Sequence, residues 1–223
     1  SPSVSAIPGA SDPMNQTSLR HSHDVDFVEF ANITEAGQTL ARDAARWIAA
    51  ALNEKGHAFI AVPGGKSPAP FFTELAAADL DWSRVRVTLT DERFVPEDSN
   101  DSNSGLLRRT FLQGRAAAAQ FVMPALSGIA ISQAADAWDA LLRAAPQFDL
   151  VVLGMGEDGH FASLFPGSGA LADGLDPKSE RFALAAEDRA PQRLSLTLRA
   201  LLRTERLAFL ISGAAKRAVL NSA

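Results

Sequence analysis

Four consecutive apolar residues, Leu150, Val151, Val152 and Leu153, are followed at once by Gly154, Gly156, Gly159 and His160, and no other stretch constrains the fold as strongly. A run of β-branched and aliphatic side chains without polar alternation reads as a strand buried on both faces, the kind found in parallel sheets. Glycines directly behind it let the backbone turn where side chains would clash. In open α/β sheets ligands sit just outside such strand ends, so residues 148–167 (FDLVVLGMGEDGHFASLFPG) are where chemistry is expected, and His160 is its first candidate. The plainer alternative is a histidine that only packs a tight turn. It accounts less well for three glycines, two acids and an imidazole crowded behind one core strand.

The same letters satisfy G-x-G-x-x-G through Gly154, Gly156 and Gly159, the spacing of a dinucleotide fingerprint. Charge and length argue against that reading. Glu157 and Asp158 would set two negative charges beside a pyrophosphate, and Pro166-Gly167 leaves little room for the long helix the fingerprint needs.

Periodicity along the chain predicts alternating strands and helices. Strands are expected at 27–30, 57–62, 85–90, 148–153, 182–186, 194–198 and 207–211. Helices are expected at 34–53, with Thr34 as N-cap, at 69–77, 104–111 and 132–144, and from Ala214 onward. Such alternation predicts an α/β fold, a largely parallel sheet covered by helices on both faces. The alanine cluster 116–119 is compatible with either a loop or a helical turn. Residues 1–26, rich in Ser, Pro, Asn and His, read as a disordered leader, with Met14 a native start behind an added extension; one α/β domain is expected over 27–223.

Composition narrows the function. A chain of 223 residues that is 47% hydrophobic can bury a full core, and a net charge of −5 argues against a nucleic-acid partner while leaving room for a small positive pocket. The absence of cysteine excludes disulfides, thiolate metal sites and cysteine nucleophiles, and suits a reducing cytoplasm. His21, His23, His57 and His160 show no ligand spacing, so no metal is expected. No apolar run approaches the roughly 20 residues of a membrane span, and no secretory signal is evident; a cytoplasmic protein without membrane contact is expected.

If the strands are parallel, three strand ends converge: Gly64-Gly65-Lys66-Ser67, Asp91-Glu92-Arg93, and the glycine turn to His160. Gly64, Gly65 and Ser67 can offer backbone N–H groups and a hydroxyl to a phosphate, or form an ordinary turn before a helix; Lys66 either assists or faces solvent. Asp91 and Arg93 stand two apart and point the same way on an extended chain, to hold a sugar and an anion or to end a salt-bridged strand. Lys216, after Ile211-Ser212-Gly213, and Arg193, before the LSLTL strand, are either further anion contacts or solvated cations.

GMGEDGHFASLFPG, with PGGKSP, TDERFVP and ISGAAK around it in that order, resembles the 6-phosphogluconolactonase family, within the larger group that holds the glucosamine-6-phosphate deaminases. The likeness runs from about Phe27 to Val219. It implies a Rossmann-like sheet of the deaminase and ribose-phosphate isomerase type. The implied activity is hydrolysis of 6-phospho-D-glucono-1,5-lactone in the pentose phosphate pathway, without metal or organic cofactor, by a monomer or small homo-oligomer. It makes His160 the acid/base, with Asp158 orienting its ring or the water. Asp91 and Arg93 then line the sugar site, with Gly64, Gly65, Ser67, Arg193 and Lys216 as binding residues. Lactone opening needs an activated water, stabilisation of a tetrahedral oxyanion and a proton for the departing ring oxygen, tasks an imidazole can serve in turn. Two departures stand out. Lys66 replaces a hydroxyl usual in the family's SGGSTP loop, and relatives usually continue into one more strand, so a further C-terminal segment is expected past Ala223. The deaminase branch typically carries a glutamate where this chain has Phe165. A non-catalytic sugar-phosphate sensor is the other alternative.

Overall fold

A computed structural model of the chain describes residues 19–22 and 25–222, which fall into two compact units divided after Ala31. In the first, β1 (Leu19–Ser22) pairs antiparallel with β2 (Val25–Val28), Leu19 opposite Val28. Most of the predicted leader, Met14 included, lies outside the described residues; the strand expected at 27–30 sits two residues earlier.

The second unit begins with α1 (Ile33–Lys55), whose buried stripe of Ala41, Ala44, Ile48, Ala51 and Leu52 follows the helical period. Its N-cap is Asn32 rather than the expected Thr34. Asn32 is extended and its side-chain oxygen accepts the Glu35 N–H at 2.9 Å, which leaves Thr34 inside the first turn. There follow β3 (Ala58–Val62), α2 (Ala69–Ala76), β4 (Val85–Leu89), β5 (Asp91–Arg93), α3 (Asn103–Thr110), β6 (Gln120–Phe121), α4 (Ile131–Arg143), β7 (Leu150–Leu153), α5 (Leu171–Leu175), β8 (Ala183–Ala186), β9 (Arg193–Leu196), α6 (Leu198–Leu202), β10 (Leu207–Phe209) and α7 (Ala214–Ser222). The alanine cluster is part of a 3-10 turn, Gly114–Ala118. Among the described residues no helix is long and apolar enough to cross a membrane.

Five strands form one parallel sheet in the order β10-β7-β3-β4-β6. β3 and β7 are buried at every residue, which requires cover on both faces. One charge is taken into this core with partners: the Asp149 carboxylate, 5% exposed, accepts the Phe59 N–H at 2.8 Å and pairs with the Lys55 ammonium at 2.9 Å.

The late strands depart from the single sheet that periodicity predicts. β8 and β9 join β5 in a separate three-stranded antiparallel sheet, ordered β5-β9-β8. The short link between Ala186 and Arg193 explains this, since a parallel crossover takes a dozen or more residues. Thr90 is where the chain changes sheets: its N–H donates to Val62 O at 2.9 Å in the parallel sheet, and its carbonyl accepts from Leu196 N at 2.9 Å in the other.

Candidate active site

From β3 the chain builds outward through β4 to β6, then returns to the other side of β3 to lay down β7 and β10. The sheet therefore reverses direction between β3 and β7, where the loops leaving their C-terminal ends must part and open a crevice. A cavity of about 310 Å³ lies there. Gly64, Gly65, Ser67, Asp91, Arg93, His160, Arg193 and Lys216, all singled out from sequence, line it. Asp158 is not among its lining residues; its carboxylate reaches His160 instead.

His160 Nδ1 lies 2.5 Å from Asp158 Oδ1, and the His160 side chain is 27% exposed. An ionised carboxylate can only accept, so Nδ1 carries the proton and Nε2 is left able to accept one. Burial pushes the Asp158 carboxyl up, but the hydrogen bonds from the His160 ring and backbone outweigh it and hold the group below its ordinary value. The turn is closed by the Gly156 N–H to His160 O at 2.8 Å. The three glycines, expected alike to ease the backbone round the turn, do different work. Gly159 has the left-handed φ of 85°, whereas Gly156 makes room: a Cβ there would stand 2.2 Å from Cε1 and Nδ1 of His160. No long helix follows; the next is the five-residue α5, which the dinucleotide fingerprint does not allow.

Alternation along β5 sorts its three polar residues. Asp91 and Arg93 line the cleft, while Glu92 is fully buried on the opposite side. Glu92 accepts the backbone N–H groups of Arg93, Asn103 and Ser104 at 2.7, 2.7 and 2.6 Å and so anchors the start of α3. Burial raises its pKa against those hydrogen bonds. Arg93 donates to Asp101 O at 2.8 Å and Asn103 Oδ1 at 3.0 Å, and Asp91 Oδ2 accepts the Ser163 hydroxyl at 2.7 Å. Across the β5–β9 ladder Arg93 stands directly opposite Arg193. Burial first, then Arg93, hold the Arg193 guanidinium below its ordinary value. Like charges so placed repel, and an anion in the cleft would relieve them.

The loop after β3 supplies the other wall. Among the described residues, the backbone N–H groups of Gly64, Gly65, Lys66 and Ser67 donate to no protein acceptor. Gly64 is glycine because the Asn103 amide lies 2.0 Å from where a Cβ would be. Lys66, Arg93, Arg193 and Lys216 face one carboxylate, Asp91, so the cleft is positive within a chain of net charge −5. No salt bridge to any of the four occurs among the described residues, and none of those residues forms an acidic or histidine cluster able to hold a metal. Sequence reasoning missed Asn103 and Ser163. Both look like ordinary turn residues, and only the requirement that Asp91 and Arg93 be held in place could have pointed to them.

The model of the family described as glucosamine-6-phosphate isomerases/6-phosphogluconolactonase matches residues 31–223. A 6-phosphogluconolactonase of Caulobacter vibrioides is 46% identical over 175 residues, 77% of this chain and 75% of that protein. One from Pseudomonas putida is 43% identical over 197 residues, 87% and 81% of the two chains. The crystal structure of a 6-phosphogluconolactonase from Shewanella baltica superposes with a TM-score of 0.81 at 33% identity, covering 86% of this chain and 83% of that one. Matched over nearly the whole of its larger unit, in sequence and in fold, the chain belongs to the glucosamine-6-phosphate isomerase/6-phosphogluconolactonase family.

Proposed function

We propose that the chain hydrolyses 6-phospho-D-glucono-1,5-lactone to 6-phospho-D-gluconate, the lactone-opening step of the pentose phosphate pathway. The observation that carries this reading is the His160–Asp158 pair, 2.5 Å apart, whose imidazole lines the same cleft as Arg93 and Arg193, opposite one another on the β5–β9 ladder. Arg93, Arg193, Lys216, Ser67 and the free N–H groups of the loop at Gly64 and Gly65 hold the phosphate, and Asp91 accepts from the sugar hydroxyls.

His160 Nε2 takes a proton from water as its oxygen adds to C1, giving a tetrahedral oxyanion and an imidazolium that faces the Asp158 carboxylate. Collapse of the oxyanion breaks the bond between C1 and the ring oxygen, and the imidazolium returns its proton to that departing oxygen. One water is consumed and the acid product ionises. All groups come from one chain, so the reaction needs no second copy, and a monomer or small homo-oligomer acting in the cytoplasm suffices. The deaminase alternative lacks its glutamate: Phe165 stands at that position, and its ring packs 4.2 Å from the His160 ring.

The test is proton release from freshly generated lactone above the spontaneous rate, with glucosamine 6-phosphate run beside it for ammonia. Rapid lactone opening without ammonia is expected. His160→Ala should lower turnover by about 10³-fold while the protein stays folded; undiminished turnover in that variant would remove His160 from the mechanism. Ammonia release would assign the chain to the deaminase branch.

A further inference from the structure

The Phe165 ring joins the proposed proton-transfer group to a residue far along the chain. The His160 ring packs on it with planes tilted by 39° and centroids 4.2 Å apart, and the Arg189 guanidinium lies 4.4 Å from its centroid. Arg193 is farther, at 5.7 Å, and opens on the cleft; Arg189 is not among the lining residues. Arg189 lies between β8 and β9, and its Nη2 donates to Pro166 O at 3.3 Å. Beside it Asp188 accepts the Ser168 hydroxyl at 2.9 Å and the Gly169 N–H at 3.0 Å. Two adjacent residues of this connection therefore clamp the segment 165–169, which directly follows the turn that carries His160.

The clamp matters because of what else restrains the imidazole. The hydrogen bond from Nδ1 to Asp158 fixes one edge of the ring but lets the ring tilt about that bond, and the Asp158 side chain is itself 53% exposed. Face contact with Phe165 removes that freedom. Phe165 is only half-buried, and the guanidinium laid over it supplies cover that water cannot, a planar cation matched to the negative face of the ring.

We propose that Arg189 is a positioning residue for catalysis: acting through Phe165, it holds the plane of the His160 ring without touching substrate. This rests on the role given to His160 above. Arg189 does not itself line the cleft, so the loss is expected to fall on kcat rather than on KM. Arg189→Ala is expected to lower kcat about tenfold with KM held within about twofold, less than the hundredfold cost of a full 1 Å displacement. Phe165→Leu should also lower kcat, and adding Arg189→Ala to it should cost little more, because the two act in series. The chain has four histidines, so the Cε1 proton resonance of His160 can be assigned with His160→Gln; it should shift in Arg189→Ala while that of His57 stays.

An unchanged kcat with an unmoved His160 resonance would overturn the proposal, as would losses that multiply in the double variant. If the alanine variant fails to fold, Arg189→Met, which keeps an apolar stem over the ring, carries the same test: a kcat reduced a few-fold at constant KM supports the clamp, and an unchanged kcat refutes it. Turnover that survives His160→Ala would instead sink the functional reading beneath it, whereas turnover that needs His160 but ignores Arg189 sinks only the clamp.

Discussion

Gly156→Ala tests whether the geometry of the His160 turn sets the rate. A Cβ at this position would stand 2.2 Å from Cε1 and Nδ1 of His160 and 2.6 Å from Oδ1 of Asp158, where ordinary contact begins at 3.4 Å. The imidazole must therefore withdraw by the difference, about 1.2 Å, and the carboxylate by about 0.8 Å. The ring has little room to do so, with Asp158 at 2.5 Å on one edge and Phe165 against a face. A misplacement of ~1 Å typically costs on the order of a hundredfold in the chemical step, so kcat is expected to fall by ~10²-fold. The proposed reading assigns the phosphate to Arg93, Arg193 and the loop after β3, away from this turn, so KM should change little. The residue sits in a partly exposed turn outside the core, and thermal unfolding should move by no more than a few degrees, corresponding to about 1 kcal/mol. The assay is initial-rate proton release from fresh lactone at several concentrations, corrected for spontaneous opening, with thermal unfolding alongside. A folded Gly156→Ala protein with kcat within about threefold of the parent would refute the reasoning, since the ring would then tolerate displacement.

Asp158→Asn should leave the fold intact but remove the charge facing the imidazolium and the acceptor that fixes its tautomer; kcat is expected to fall about 10²-fold, and an unchanged kcat would show Asp158 to be incidental. Arg193→Met should act with opposite signs on two properties. It relieves the repulsion with Arg93, so the free protein should unfold no earlier than the parent, yet KM should rise roughly 10- to 100-fold for the loss of a charged phosphate contact; an unaltered KM would remove Arg193 from the binding wall. Asp139 predicts the acid limb of stability. Burial pushes its carboxyl up, but Arg143, at 2.7 Å, and the N–H groups of Phe182 and Ala183 prevail and hold it below the ordinary 3.8. The unfolded chain then takes the proton first as pH falls, so the contribution is complete above 3.8 and is lost as pH drops through the folded value. Urea unfolding against pH should show a shallower acid decline in Asp139→Asn than in the parent; parallel curves would assign that decline to other groups.

Much of this protein is legible one segment at a time. Uninterrupted apolar runs at β3 and β7 are written in the letters because a strand covered on both faces has no position that tolerates a charge. The amphipathic period of α1 and α4 is equally local. Glycine and histidine behind β7 mark the turn, and parallel strand ends make the meeting of Gly64, Asp91 and His160 an expectation of the sequence alone. The sheet change at Thr90 was not legible. Leu194, Ser195 and Leu196 alternate as any half-buried strand does, and nothing in that pattern says which sheet they will join. Nor does sequence distinguish Glu92 from Asp91 beside it, since strand alternation sends one to anchor α3 and the other to the cleft only once β5 has a partner. Gly156 looks like a glycine needed for its backbone and proves to be one needed for the space above it. Local sequence determines which elements form, because hydrogen bonding and periodicity act over a few residues. The pairing of Arg93 with Arg193, the hold of Ser163 on Asp91 and the stack of Arg189, Phe165 and His160 were decided only by the tertiary structure, because each joins side chains that become neighbours after distant segments pack.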